Sequence, residues 1–438
     1  MRGRPKKNNF PAPSPERLEI WATEMREAGE TPPAGAEEFK LWMKKNGERE
    51  LWWFSRWILD NAWLGQGTFH RTQVCPYLTD FASGRFKLLQ IPMGCLKTTI
   101  ASRSLPLHAL IQPTGHNIYF KDKLGRNVRV LLGNENEKKS MDNLQVSKTH
   151  LEQNPKLRWI WPEVCWPEGK AESGSRWTDR QIQVPRTGIF AEASITAAGV
   201  NTGIIGGYFD IIVADDLATQ NAANQPPLMD RVKKFRRAMK TRFYDKARGI
   251  YIGVATSWGM NDVCVEWQRD PDFQVEVRSI IERDKVTGKE IALWPEHYSL
   301  EWCEKTRKTM DPIEWALWYM NQPVPQGYTA LKWSDVREYE SRVTGDPDHP
   351  TEVLEFSDAP QDEMILERHD RISNNLGFRL GTPLFDPANA KPRKLQRQRG
   401  DSADYADQAS YLWSKYPSVD RRDIRDEYPN KIPKQEDL

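Results

Sequence analysis

Between Phe86 and Leu105 the chain reads FKLLQIPMGCLKTTIASRSL, an order of residues that few architectures accommodate. Leu88, Leu89 and Ile91 form an apolar run with the length of a buried strand, and Pro92, Met93 and Gly94 then make a tight turn. Lys97, Thr98 and Thr99 open a helix. A strand that passes through a glycine turn into a Lys-Thr helix start aims backbone N–H groups and the helix dipole at an anion, which suits a nucleotide's phosphates. In such a loop Gly94, Cys95, Leu96, Lys97, Thr98 and Thr99 surround the phosphates. The lysine reaches the β and γ groups of ATP, and the Thr98 hydroxyl takes Mg2+. The strict GxxxxGK[ST] spacing puts glycine at positions 91 and 96, where this chain has Ile91 and Leu96. A plain strand-to-helix turn with a solvated lysine fits the stretch equally well, so the segments downstream have to separate the two.

The chain's 438 residues suffice for two domains, or for one large core with appendages. With 63 basic and 61 acidic residues and a formal charge of +2, no overall field marks a partner, and a nucleic-acid face requires local clustering. There is no 18-residue apolar span, and the basic start MRGRPKKNN lacks the apolar centre of a signal peptide. Cys75, Cys95, Cys165, Cys264 and Cys303 are scattered without metal-type spacing and read as free thiols. These features predict a soluble, intracellular protein.

Residues 1–45 combine basic residues and prolines around a short helix from Pro15 to Ala28, predicting a flexible or helical arm. Glu37 to Asn61 is helical in pattern. Gln73, in FHRTQVCPYLTDF, has an amide able to read adenine's donor and acceptor edge; capping or surface exposure accounts for it equally well. Further on, Asn127–Gly133 reads as a strand, Asn136–Gln153 as a helix and Gln181–Pro185 as a second strand. Ser194 to Tyr208, with Gly199, Gly203, Gly206 and Gly207, reads as a turned or mobile loop.

The β-branched run Phe209–Ala214 then delivers Asp215 and Asp216 to a strand end. Such a pair is at home in a turn or N-cap. Downstream of a glycine–lysine–threonine loop it also fits the second half of a nucleotide site, with Asp215 in the Mg2+ shell and Asp216 orienting and deprotonating the attacking water. Residues 226–248 form an amphipathic basic helix. Its cations, Arg236, Arg237 and Lys240 among them, suit either a solvated face or DNA phosphates. Gly249–Ser257 is another buried strand that ends at Thr256, placed to sense a γ-phosphate. VRSIIERDKVTGKEIALWPE predicts a hairpin turning at Thr287-Gly288, and Asp311, Pro312 and Glu314 mark a helix start.

Taken together, these segments resemble, in order, the ATPase half of the large subunit of tailed-phage DNA-packaging terminases, over Glu50 to Gly327. IPMGCLKTTIAS is similar to that family's deviant phosphate loop, and LEQNPKLRWIWPE to the stretch after its second strand. SITAAGVNTGIIGGYFDIIVADD resembles its glycine loop and carboxylate strand. GVATSWGMNDV resembles its coupling motif, with Trp258 and Asp262 at the matching places, and LWPEHYS with WALWYMNQPVP resembles the end of its ATPase domain.

The resemblance implies a P-loop NTPase of RecA/ASCE-like α/β class: a mostly parallel sheet with flanking helices, a helical N-terminal element and a short C-terminal region. The expected division is 1–45 arm, 46–327 ATPase and 328–438 C-terminal region. ATP and Mg2+ are the implied cofactors, and Lys97, Asp216 and Thr256 the implied catalytic residues. Double-stranded DNA, a portal protein, a small terminase subunit and a homo-oligomeric ring are the implied partners, in the cytoplasm of an infected host.

Two departures bear on activity. Met93 stands where the family often has an arginine acting on the γ-phosphate, which leaves Arg103, Arg236 and Arg237 as candidates for that role. Asp216 replaces a frequent glutamate. The family's nuclease implies two metals on clustered acids, for which Asp358, Asp404 and Asp407 are the candidates. Residues 328–438 are fewer than such a domain needs, so the nuclease is expected to be vestigial or absent. A helicase-like ATPase and a catalytically dead P-loop scaffold are the alternative readings.

Overall fold

In the computed structural model the described residues are 10–114, 117–120, 125–167, 176–201, 206–259 and 261–322, together with the backbone of three strands between 339 and 368. The chain divides into two compact units, Met1–Val324 and Pro325–Leu438.

The first unit is built on a seven-stranded sheet: β1 Phe86–Gln90, β2 Val130–Asn134, β3 Gln181–Ile182, β4 Ile195–Gly199, β5 Ile211–Asp215, β6 Ile250–Ala255 and β7 Phe273–Val277. The spatial order is β3-β4-β2-β5-β6-β1-β7, and every pairing is parallel except β3 on β4. This is a mostly parallel α/β sheet with flanking helices. Strand β6 lies between the phosphate-loop strand β1 and the acid strand β5, so three carboxyl ends meet side by side, the usual ligand position in such sheets.

Both faces are covered, which is why β5 and β6 are apolar along almost their whole length and not alternating. Leu89, Val130, Leu132, Ile211, Val213, Ile250 and Ile252 face one core. Their neighbours Leu88, Leu131, Ile212, Ala214 and Tyr251 face the other, where Val232, Phe235 and Met239 of helix Pro226–Lys240 pack. Gly133 lets that helix approach closely: a methyl there would lie 2.5 Å from Met239 Cε.

Several elements differ from expectation. Glu37–Asn61 is not one helix: Ala36–Arg49 ends at Glu50, which is extended at φ −127°, and the chain restarts at Leu51. Trp21, Met25, Phe39 and Met43, from helices Pro15–Glu27 and Ala36–Arg49, are buried in the first core, so this stretch of the expected arm is packed. Strand β4 lies inside what reads as a glycine loop, and β7 was not anticipated. The basic helix stops at Lys240, where Phe243 turns back to bridge Phe209. Wide helical turns at His70–Val74 and Thr99–Ser104 come just before Pro76 and Pro106. A proline lacks an N–H and its ring crowds the carbonyl one turn back, so loosening that turn accommodates it.

The hairpin Ile281–Arg283 with Glu290–Ala292 forms as the sequence predicts, and Asp311 accepts the N–H groups of Ile313 and Glu314 at its helix start. All five cysteines are buried and none is joined in a disulfide. In the second unit Tyr339–Asp346, His349–Phe356 and Ile365–Arg368 form an antiparallel three-stranded sheet. Asp358, Asp404 and Asp407 lie outside the described residues.

Candidate active site

The loop after β1 is shaped by two left-handed residues, Gly94 at φ +81° and Leu96 at φ +58°. Leu96 occupies the position where the strict motif has glycine, and it adopts the backbone twist that glycine would supply, at a cost of about 1–2 kcal/mol. The loop is held from below by His70, whose Nε2 lies 3.2 Å from the Cys95 carbonyl. A carbonyl only accepts, so Nε2 carries the proton, and burial keeps the ring neutral by lowering its pKa to about 4. From above, the Met93 N–H donates to Trp318 O at 3.0 Å and Tyr298 lies over Gly94.

A methyl on Gly94 would sit 2.0 Å from the Tyr298 hydroxyl, whereas the next ring atom is 3.2 Å away. Gly94→Ala is therefore expected to cost roughly 2 kcal/mol, of which about half is backbone strain. Adding Tyr298→Phe removes the clashing oxygen and should restore the remainder. Denaturant unfolding of both single variants and the double decides it: a double no more stable than Gly94→Ala alone refutes the contact.

Lys97 is nearly enclosed, its side chain 8% exposed. Its Nζ donates to Thr256 Oγ1 at 2.7 Å and lies 3.7 Å from Asp216 Oδ2. Thr98 Oγ1 donates to Asp215 Oδ1 at 3.0 Å, and Ser102 Oγ to Asp215 Oδ2 at 2.7 Å. Asn143 Nδ2 reaches the same Oδ2 at 3.5 Å, and Asn134 Nδ2 holds the Asp215 carbonyl at 2.6 Å. Burial, and then the charge of Asp216, push the Asp215 carboxyl up to about 6, against the pull of Ser102, Lys97 and Thr98. Asp216 itself sits at φ +43° with Oδ1 buried and without a hydrogen-bond partner.

The structure thus brings Lys97, Thr98, Asp215, Asp216 and Thr256 together around the carboxyl ends of β1, β5 and β6. Sequence reasoning missed Ser102 and Asn143. Ser102 follows Thr98 by one helical turn, a usable signal; Asn143 arrives from a separate helix and carries none.

The donor set offered to a cation is all oxygen: the Thr98 hydroxyl and the Asp215 carboxylate. This fits Mg2+, which takes one or two carboxylates and completes its shell with water and phosphate oxygens. Among the described residues no group of three or more His, Cys, Asp or Glu is placed to hold a metal.

Asp262 works as a brace, not as a reactive group. Oδ2 accepts the Trp258 N–H at 2.7 Å and Oδ1 the Cys264 N–H at 3.2 Å, capping helix Val263–Gln268. Burial raises its pKa from 3.8 to about 6. A raised folded-state pKa means that the folded protein holds the proton more tightly. The associated stability is therefore complete below about pH 4 and is lost as pH rises through 6, by roughly 3 kcal/mol. Asp262→Asn removes this titration. The difference between wild-type and variant unfolding free energies should change across pH 4–6 in that sense, and a flat difference refutes the assignment.

The candidate DNA contacts on helix Pro226–Lys240 face acids from neighbouring segments. Arg236 is buried, with Nη1 3.1 Å from Glu266 Oε1, Nη2 bonded to Asp270, and its guanidinium over Trp267 and Phe273. A guanidinium so enclosed presents no surface charge to a DNA backbone or a neighbouring subunit's phosphate. Arg237 pairs with Glu266 at 2.9 Å, and Lys240 with Asp270 at 2.9 Å and Asp272 at 2.6 Å. Arg236, Arg237 and Lys240 are thus met by acids beyond the end of the helix. Arg103 donates to Asn143 Oδ1 at 2.9 Å, and Gln73 is exposed, with Oε1 accepting from Arg278.

No family model and no curated protein matches the chain. Among solved structures, a mutant ATPase domain of the large terminase of a Thermus phage is similar at 12% identity and a TM-score of 0.34, covering 56% of this chain and 90% of that one.

Proposed function

We propose that this chain is an ATP-hydrolysing motor that moves double-stranded DNA, of the terminase large-subunit type. The observation that carries the reading is the meeting of a Lys-Thr loop with an Asp pair more than a hundred positions away: Lys97 on Thr256 and beside Asp216, Thr98 on Asp215. The ordered set of segments that resembles the terminase ATPase supports the same choice.

In this reading the loop amides and Lys97 bind the phosphates, and Thr98 and Asp215 hold Mg2+, with Ser102 and Asn143 orienting the carboxylate. Bound there, Mg2+ would supply positive charge to neutralise the phosphates. Asp216, with one oxygen unpartnered and the other near Lys97, orients the attacking water and accepts its proton. Thr256 exchanges its bond to Lys97 as the lysine turns to phosphate. That change reaches the Ser257 N–H, which donates to Asn321 Oδ1 at 3.3 Å. Leu96 already has the twist that a phosphate loop needs, which speaks against a dead scaffold.

DNA is gripped through its backbone, so binding is sequence-tolerant and weakens with salt. A portal, a small subunit and a ring of like chains follow from the resemblance. Among the described residues no helix is long and apolar enough to cross a membrane.

The test is ATP hydrolysis by the full chain with and without blunt linear duplex, together with a strand-displacement assay. Duplex-stimulated turnover without strand separation is expected. Strand displacement would favour the helicase-like alternative, and absence of nucleotide binding would end the motor reading.

A further inference from the structure

The turn that carries His70 under the phosphate loop carries Gln73 one turn further on, beside the loop's entry. Opposite it stands Arg278, the first residue after β7, which is immobilised at every polar group. Its N–H donates to the O of Gln90, the last residue of β1, at 2.9 Å, and its carbonyl accepts from Asn321 Nδ2 at 2.9 Å. Its Nε and Nη2 reach the two carboxylate oxygens of Glu282 at 2.6 Å each, and its guanidinium lies 5.9 Å from the Phe69 ring centroid. The remaining nitrogen, Nη1, donates to Gln73 Oε1 and lies 3.5 Å from Glu276 Oε1.

An exposed glutamine amide ordinarily turns over at little cost, so that its donor and acceptor ends exchange places. Here they cannot, because a guanidinium has donors only and pins the oxygen end. We propose that Arg278 is a positioning residue for base recognition, locking Gln73 in one donor–acceptor order. The inference rests on the nucleotide-binding reading above. In that order Nε2 donates and the second lone pair of Oε1 accepts. The pattern complements adenine, whose N6 amino group donates beside a ring nitrogen that accepts. Guanine sets the O6 acceptor against Oε1 and is disfavoured. Arg278 touches no base; it acts by fixing the residue that does.

The experiment measures kcat and KM for ATP and for GTP with the full chain, comparing wild type, Gln73→Ala, Arg278→Met, the double variant and Arg278→Lys. The expected result is a preference for ATP in wild type that falls about tenfold in either single variant, through KM and with kcat nearly unchanged. The double variant should lose no more than either single, and Arg278→Lys, which keeps a donor, should recover part of the preference. Glu282→Gln disturbs the ion pair but leaves the Arg278–Gln73 bond, so its preference should stay near wild type. Thermal unfolding of each variant identifies any that has lost the fold, in which case the comparison of Arg278→Lys with Gln73→Ala decides. Wild-type turnover with a base preference untouched by Arg278→Met, or additive losses in the double variant, overturns this inference and leaves the motor reading standing. If wild type binds neither nucleotide, both fall.

Discussion

Lys97→Ala is expected to lower kcat for ATP hydrolysis by about three orders of magnitude, equivalent to about 4 kcal/mol of lost stabilisation. The ammonium is nearly enclosed, 2.7 Å from Thr256 and 3.7 Å from Asp216, so in the proposed motor it would act on phosphate charge in a site where water screens little. Its removal also leaves two adjacent aspartates without their cation, which weakens binding of a polyanion. The fold should survive, because Thr98 and Ser102 still satisfy Asp215. Lys97→Arg is not expected to rescue turnover: a planar guanidinium does not fit a pocket shaped around a compact ammonium. Steady-state turnover and fluorescent-nucleotide titration of the full chain measure both effects. Turnover in Lys97→Ala within a few-fold of wild type would remove the basis for the proposed motor.

Asp210→Ala is expected to be the most destabilising single change, at about 3–5 kcal/mol. Arg129 and Asp210 pair at the amino ends of β2 and β5, with side chains 2% and 5% exposed. Nε and Nη2 of Arg129 each lie 2.9 Å from the carboxylate, and the Arg129 N–H adds a third bond at 2.9 Å. The guanidinium also packs against Phe190 and Tyr244, with ring centroids 4.6 and 4.2 Å away. Truncating the acid leaves a cation out of water whose nearest remaining acidic partner among the described residues is Glu192, 3.7 Å away. Replacing both members, as Arg129→Met with Asp210→Leu, removes the uncompensated charge and should recover part of the loss, the backbone N–H of residue 129 remaining without its carboxylate acceptor. Urea unfolding measures the cycle, and a single-variant cost under 1 kcal/mol would refute it. Because the pair lies at the opposite strand ends from Lys97 and Asp215, nucleotide binding at permissive temperature should be unchanged.

Strands β1, β5 and β6 were legible because each contains a cluster of large or β-branched apolar residues, Leu88, Leu89 and the following Ile91 in the case of β1, a pattern that needs no partner to be recognised. The helix start at Asp311 was legible for a related reason: its cap bonds span only two and three residues. Strand β4 was not. Its ITAAG composition is small and glycine-flanked, and only pairing with β2 makes it a strand. Strand β7 alternates buried and exposed positions as an edge strand, and pairing with β1 decides it.

Charge on helix Pro226–Lys240 shows the same limit. Read alone, Arg236, Arg237 and Lys240 lack counter-ions, yet Glu266, Asp270 and Asp272 meet them in space.

By itself, then, the amino-acid order determined that β1, β5 and β6 are buried strands and that a helix starts at Asp311, because burial and helix caps are written in local composition. The tertiary structure alone decided that Ser102 and Asn143 hold Asp215, that Arg278 holds Gln73 and that Arg236 faces inward. Those are contacts between side chains distant along the chain, and only the order of strands in the sheet brings them within hydrogen-bond reach.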